Sequence, residues 1–166
     1  MSKRDAFASF YEENIWKVYG FFGYRLASRE DAEDLTQLTF ERALKAFDRF
    51  DERRASAATW LMAIASNLLI DHYRQPDAGR VRRLDPDDAR EPAAASDSHQ
   101  EAMLGVSPEL EHALGRLDQR QRELVALRYG ADLTGPEISD LTGLSLANVQ
   151  QILSRSLKRL RAELGT

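Results

Sequence analysis

The sequence predicts an all-α protein built from two small helical domains joined by a flexible linker, the second domain carrying a helix-turn-helix. Apolar residues recur near every 3.6 positions in each patterned segment, and no alternating strand pattern of useful length appears. From Pro76 to Val106 that pattern lapses: Pro76, Asp77, Gly79, Pro86, Asp87, Asp88 and Pro92 lead into a run of small polar residues from Ala93 to Ser98. Few of these side chains could anchor a core, so the stretch predicts an acidic, flexible linker. Between Pro136 and Leu160 two short amphipathic patterns meet at Gly143-Leu144-Ser145, and the second runs on into Arg155, Lys158, Arg159 and Arg161. The expected boundaries are 1–75, 76–106 and 107–166.

The first helix is expected from Asp5 to Ala27, with Phe7, Phe10, Tyr11, Ile15, Val18, Phe21 or Phe22, and Leu26 on its inner side. Ser28 is suited to cap a second helix from Arg29 to about Phe47, where Asp31 and Glu33 complement the helix dipole in the first turn. Its inner stripe is Ala32, Leu35, Thr39, Ala43 and Phe47. After a short charged connection, Ser56 opens a third helix through Trp60, Leu61, Ile64 and Leu68 to Arg74, and Gln75-Pro76 ends it. In the second domain Ser107-Pro108-Glu109 reads as a cap, a first-turn proline and an acid, starting a helix through Leu110, Leu114 and Leu117. Asp118 caps the next, with Leu124, Val125, Leu127 and Tyr129 inward.

The helix-turn-helix follows from local chemistry. Pro136 has the fixed φ of a first helical position after Thr134-Gly135, and Ile138 and Leu141 face inward. Gly143 stops that helix in the left-handed conformation that glycine adopts without a Cβ penalty, and Ser145 caps the next. Val149, Ile152, Leu153, Leu157 and Leu160 continue the buried stripe, leaving Ala147, Asn148, Gln150 and Gln151 outward at the start of the second helix. In this motif those positions enter the DNA major groove, where Asn or Gln pairs bidentately with adenine.

Composition narrows the function classes. The 166-residue chain carries a net charge of −4 and no cysteine, which excludes disulfides and thiolate metal sites. His72, His99 and His112 fall in three segments without ligand-like spacing, so no metal or cofactor is expected. No nucleophile motif or phosphate loop points to an enzyme. No apolar run reaches a membrane span and the N-terminus lacks a signal-peptide core, which predicts a soluble, cytoplasmic protein without membrane insertion of its own. The first domain holds 11 basic and 12 acidic residues, the linker 4 and 7, and the second domain 8 and 8. With so little net positive charge, a DNA-binding chain needs a partner that supplies the remaining field.

Two segments of the first domain are more specific: Asp31-Ala32-Glu33-Asp34-Leu35-Thr36-Gln37-Leu38-Thr39-Phe40, and Thr59-Trp60-Leu61 continuing to Asp71-His72-Tyr73-Arg74. They resemble the second conserved region of bacterial RNA polymerase sigma factors of the sigma-70 family. The nearer resemblance is to the extracytoplasmic-function (ECF) group, which keeps that region and the fourth, and Leu117 to Leu164 is similar to the fourth. The resemblance implies a chain that binds core RNA polymerase, recognises promoter DNA and directs transcription initiation. It implies contacts with the clamp of the largest subunit and with the flap, and an anti-sigma factor as a further partner. Docking on the clamp would fall to Asp31, Asp34, Gln37, Leu38, Glu41 and Lys45. Leu38 stands where relatives commonly carry glutamate, giving this face an apolar element. The minus-ten element would be held by Arg53, Arg54, Ser56, Thr59, Trp60, Asn67, Asp71 and Arg74, although Trp60 also fits an ordinary core position. The minus-thirty-five element would meet Ser145, Ala147, Asn148, Gln150, Gln151, Ser154, Arg155, Lys158 and Arg159, with Arg161 available for phosphate. Relatives often have a threonine and then a Lys-Ser-Arg run where this chain has Asn148 and Gln150-Gln151-Ile152, so its isolated second domain should bind DNA weakly. The acidic linker could mimic nucleic acid inside the basic polymerase channels. Two other classes compete: a sigma-like decoy that sequesters an anti-sigma factor, and a free-standing helix-turn-helix regulator. The near-zero charge of the second domain disfavours the latter.

Overall fold

A computed structural model describes residues 2–75 and 106–165, so the predicted linker, apart from Val106, lies outside the described residues, as does His99. The first lobe comprises α1 (Lys3–Arg25), α2 (Arg29–Ala46), a 3-10 turn (Phe47–Arg49) and α3 (Ala57–Tyr73). The second comprises α4 (Pro108–Gly115), α5 (Gln119–Val125), a π turn (Ala126–Gly130), α6 (Gly135–Thr142) and α7 (Leu146–Leu164).

Capping residues set these boundaries. Ser2, Ser28, Ser56, Ser107, Asp118, Thr134 and Ser145 each accept a first-turn amide, satisfying a donor that the helix itself cannot. Because Ser2 starts α1, that helix lies shifted toward the N-terminus relative to the expected Asp5 to Ala27. Ser28→Ala removes the acceptor of the Asp31 amide, 3.1 Å away, and should lower stability by about 1 kcal/mol in urea denaturation.

α1 is covered on two sides, by α2 and α3 and by the π turn and α5 of the second lobe. This explains why Phe21 and Phe22, between which the periodicity could not choose, are both fully buried. Tyr11, expected inside, is instead 42% exposed, with its ring set edge-on to Phe40. Three buried polar side chains of the first lobe are satisfied within their own helices: Asn14 donates to the Phe10 carbonyl at 2.8 Å, and Thr36 and Thr39 donate to the Ala32 and Leu35 carbonyls at 2.7 Å.

In the second lobe Leu124, Val125 and Leu127 are buried as expected, but Tyr129 is 43% exposed. The π turn explains the correction: its wider turn rotates Tyr129, which lies within it, off the stripe expected at 3.6 residues per turn. Gly135 and Pro136 occupy the first turn of α6, and Gly143 closes it at φ 81°. Ser139 donates to the Leu144 carbonyl at 2.5 Å, tying α6 to the turn. Val149, Leu153 and Leu160 are buried along α7, joined by Ser156, which donates to the Ile152 carbonyl at 2.7 Å.

The lobes are not beads on a string. Their buried residues form one contiguous core, and α1 meets the π turn backbone to backbone at Gly20 and Gly130. Among the described residues no helix is long and apolar enough to cross a membrane, and no group of three or more His, Asp or Glu could hold a metal.

Candidate nucleic-acid interface

The second helix of the helix-turn-helix, α7, buries one side and leaves the other clear. Ser145, Ala147, Asn148, Gln150, Gln151, Ser154, Arg155, Lys158, Arg159 and Arg161 are all exposed. The Ser145 hydroxyl accepts the Asn148 amide at 3.1 Å, which fixes the first turn of the helix and with it the positions of Ala147 and Asn148. Glu163, the one acid on α7, turns toward Arg116 at 3.5 Å, away from the basic edge. Amide side chains at the helix start followed by cations along one edge suit base edges and phosphates respectively.

The loop before α3 forms a second set. Arg53 folds back on Asp51, its backbone N 3.0 Å and its Nε 3.2 Å from Oδ1, while Arg54 is exposed. The Ser56 and Thr59 hydroxyls lie 2.9 Å apart. Trp60 is half-buried, 4.9 Å from the Phe50 ring and 5.8 Å from Phe10, so it forms the edge of an aromatic cluster. Asn67 and Asp71 on α3, and Arg74 at its C-terminal cap, are exposed, with Ile70 and Tyr73 beside them on the surface.

On α2, Asp34, Gln37, Glu41 and Lys45 are exposed and Leu38 is half-buried among them. Asp31 does not join them. It is 3% exposed, with its carboxylate 3.7 Å from Nε2 of His72 on α3. A first-turn acid next to its cap faces the neighbouring helix as easily as solvent, and spacing along α2 alone does not say which.

Sequence reasoning passed over Glu137. One of its carboxylate oxygens accepts the Thr134 amide in the capping box and the other accepts the Ser56 hydroxyl at 2.5 Å. Burial works to raise its pKa, but the hydrogen bonds from Ser56 and Thr134 and the charge of Lys17 outweigh it and hold the carboxyl below its ordinary value. The capping-box pattern was visible in the sequence; its second partner, 81 residues away, was not. Arg122 was passed over too. It donates through Nε to the Tyr24 carbonyl at 2.7 Å and pairs with Glu111 at 3.2 Å. Burial raises the Glu111 carboxyl despite that neighbour.

Known proteins resemble this chain in sequence and in fold. Residues 10–79 match the family model of sigma-70 region 2, and residues 113–162 that of sigma-70 region 4. The chain is 31% identical over 163 residues to the ECF RNA polymerase sigma factor RpoE of Cereibacter sphaeroides, covering 96% of this chain and 87% of that one. The chain belongs to the ECF sigma factors of the sigma-70 family. It is also 29% identical to the ECF sigma factor BldN of Streptomyces coelicolor, over 94% of this chain but only 59% of the relative's length. Among solved structures, CnrH in complex with the cytosolic domain of CnrY matches with a TM-score of 0.66 at 25% identity, covering 98% of this chain and 89% of that one. The sigma factor RpoE of Bartonella quintana, in complex with the anti-sigma factor NepR, shares the fold with a TM-score of 0.71 at 22% identity, over 97% and 98% of the two chains. In this sigma factor the region 2 match takes in α2, α3 and most of α1, and the region 4 match takes in the helix-turn-helix.

Proposed function

We propose that this chain is a promoter-specificity subunit. It binds core RNA polymerase through the exposed α2 face, holds the minus-ten element at the start and along the outer side of α3, and reads the minus-thirty-five element with α7. The observation that carries this is the clear side of α7, where Asn148 and Gln151 stand free at the start of a capped helix and Arg155, Lys158 and Arg159 follow. Polymerase performs nucleotidyl transfer, and the sigma factor contributes binding free energy that offsets the unstacking of bases. It is therefore not itself an enzyme, and it works in the cytoplasm where polymerase and the nucleoid are. Promoter elements divide between residues 1–75 and 107–166, joined by 76–106. The relatives solved with CnrY and NepR support an anti-sigma factor as a regulatory partner.

Run-off transcription with purified core and a promoter library, read by sequencing the start sites, tests the proposal. Asn148→Ala or Gln151→Ala should relax the upstream-element preference by about 1–3 kcal/mol of base discrimination while leaving core binding intact. Equal loss of both properties would remove α7 from the recognition role. The decoy reading rests on the cation-poor start of α7, where Asn148 and Gln150-Gln151-Ile152 replace expected cations. A chain that yields no sequence-specific transcript with purified core on the promoter library would favour it.

A further inference from the structure

The start of α7 carries no charge. From Leu146 to Ser154 its side chains are apolar, amide or hydroxyl, and Arg155 is the first cation, about 13 Å along the helix axis from Leu146. Ser145 is committed to capping, its hydroxyl accepting the Asn148 amide at 3.1 Å. Asn148, Gln150 and Gln151 are exposed, and their side-chain amides take no partner among the described residues.

Base chemistry turns this composition into a sequence preference. In the major groove guanine is selected by Arg or Lys on O6 and N7, and cytosine by Asp or Glu on N4; the first two turns of α7 hold none of these. Adenine is selected by Asn or Gln on N6 and N7, and thymine by an apolar side chain against its C5 methyl group. Those are the two kinds of group that the helix start offers.

Leu146 supplies the apolar partner. It is 39% exposed at the first position of α7. A Cβ built on Gly135 would lie 3.1 Å from Leu146 Cδ1, so the leucine rests against the start of α6 on one side and is open on the other. A single exposed leucine is ordinary on a protein surface. At the tip of a helix that enters the groove, it stands where DNA would strip the water from it, and a leucine steadied from behind loses little rotamer freedom on contact. Ala147, exposed beside it, extends the apolar edge by one methyl group.

We propose that the first two turns of α7 select A·T base pairs in the upstream promoter element, and that Leu146 is a specificity-determining residue that packs on a thymine methyl group while Asn148, Gln150 and Gln151 pair with adenines. The assignment rests on the reading of α7 as the minus-thirty-five helix. Arg155 and the cations after it then hold phosphates, adding affinity without adding guanine preference under the helix start.

The test uses the full chain bound to core polymerase. Run-off transcription from promoters randomised across the minus-thirty-five element should return A·T pairs at the positions under the helix start. In the selected element, deoxyuridine in place of thymine removes only the C5 methyl group. For the parent chain at least one such change should lower transcript yield at limiting holoenzyme about fourfold, the value of one buried methyl group. Leu146→Ala should lose about the same factor on thymine and be indifferent to uracil at that position, with core association unchanged. 7-Deazaadenine, which lacks the N7 acceptor, should cost the parent chain about tenfold at an adenine held by an amide side chain. The base substitutions need no protein variant, so they decide the matter even if Leu146→Ala does not fold. Selection of G·C pairs, a parent chain indifferent to uracil at every thymine or to 7-deazaadenine at every adenine, or a folded Leu146→Ala chain as sensitive to uracil as the parent overturns the proposal and leaves the sigma-factor reading in place. A chain that yields no sequence-specific transcript at all overturns both.

Discussion

Asp34→Lys combined with Glu41→Lys is expected to abolish association with core RNA polymerase without unfolding the protein. Both side chains are exposed on α2, and substitution at exposed sites usually changes stability by no more than about 0.5 kcal/mol. At an interface the same change places cations where acids were. Juxtaposed like charges cost several kcal/mol, and ~3 kcal/mol already corresponds to more than a hundredfold loss of affinity. The measurement is a titration of labelled core with each chain, alongside thermal unfolding. Unchanged affinity with an intact fold would move the docking face elsewhere. Leu38→Ala belongs in the same series: it removes apolar area between the two charges, and a smaller loss there would show that Leu38 contributes contact as well as charge spacing.

The largest effect on stability is expected from Phe22→Ala. Phe22 is 0% exposed and lies on the helix that both lobes cover. Removing a buried phenyl ring costs about 3–5 kcal/mol, through lost transfer energy and the cavity left behind. For a chain of this size that corresponds to a fall in Tm of roughly 6–20 °C. Tyr11→Ala serves as the internal control, since Tyr11 lies 42% exposed on the same helix and should cost far less. A Tyr11 substitution as damaging as the Phe22 one would contradict the two-sided burial of α1.

The two lesions probe different levels of organisation. The α2 substitutions act on a face whose composition was readable in advance, because exposed acids on an amphipathic helix follow from its period. Phe22 was only half readable. Its period placed either Phe21 or Phe22 inside, on the assumption that a surface helix has one buried stripe, and the second lobe supplies another wall. Tyr129 was misplaced for a related reason. A stripe extrapolated at 3.6 residues per turn runs past the π turn at Ala126–Gly130, which changes the count. Asp31 was misplaced because a charged residue in a first turn reads as solvent-facing until the neighbouring helix is known to bring His72 against it.

From the amino acids alone came the all-α class, the caps at Ser28, Ser56, Ser107, Asp118 and Ser145, the left-handed Gly143, and the exposed polar side of α7. These are local: each depends on residues within one or two helical turns, where dihedral preference and hydrogen-bond satisfaction decide the outcome. Tertiary structure alone decided that Gly20 meets Gly130, that Glu137 reaches Ser56, and that Arg122 holds the Tyr24 carbonyl. These contacts join residues about 80 to 110 positions apart. No periodicity encodes such a pairing, because shape complementarity between two lobes is set only once each has folded.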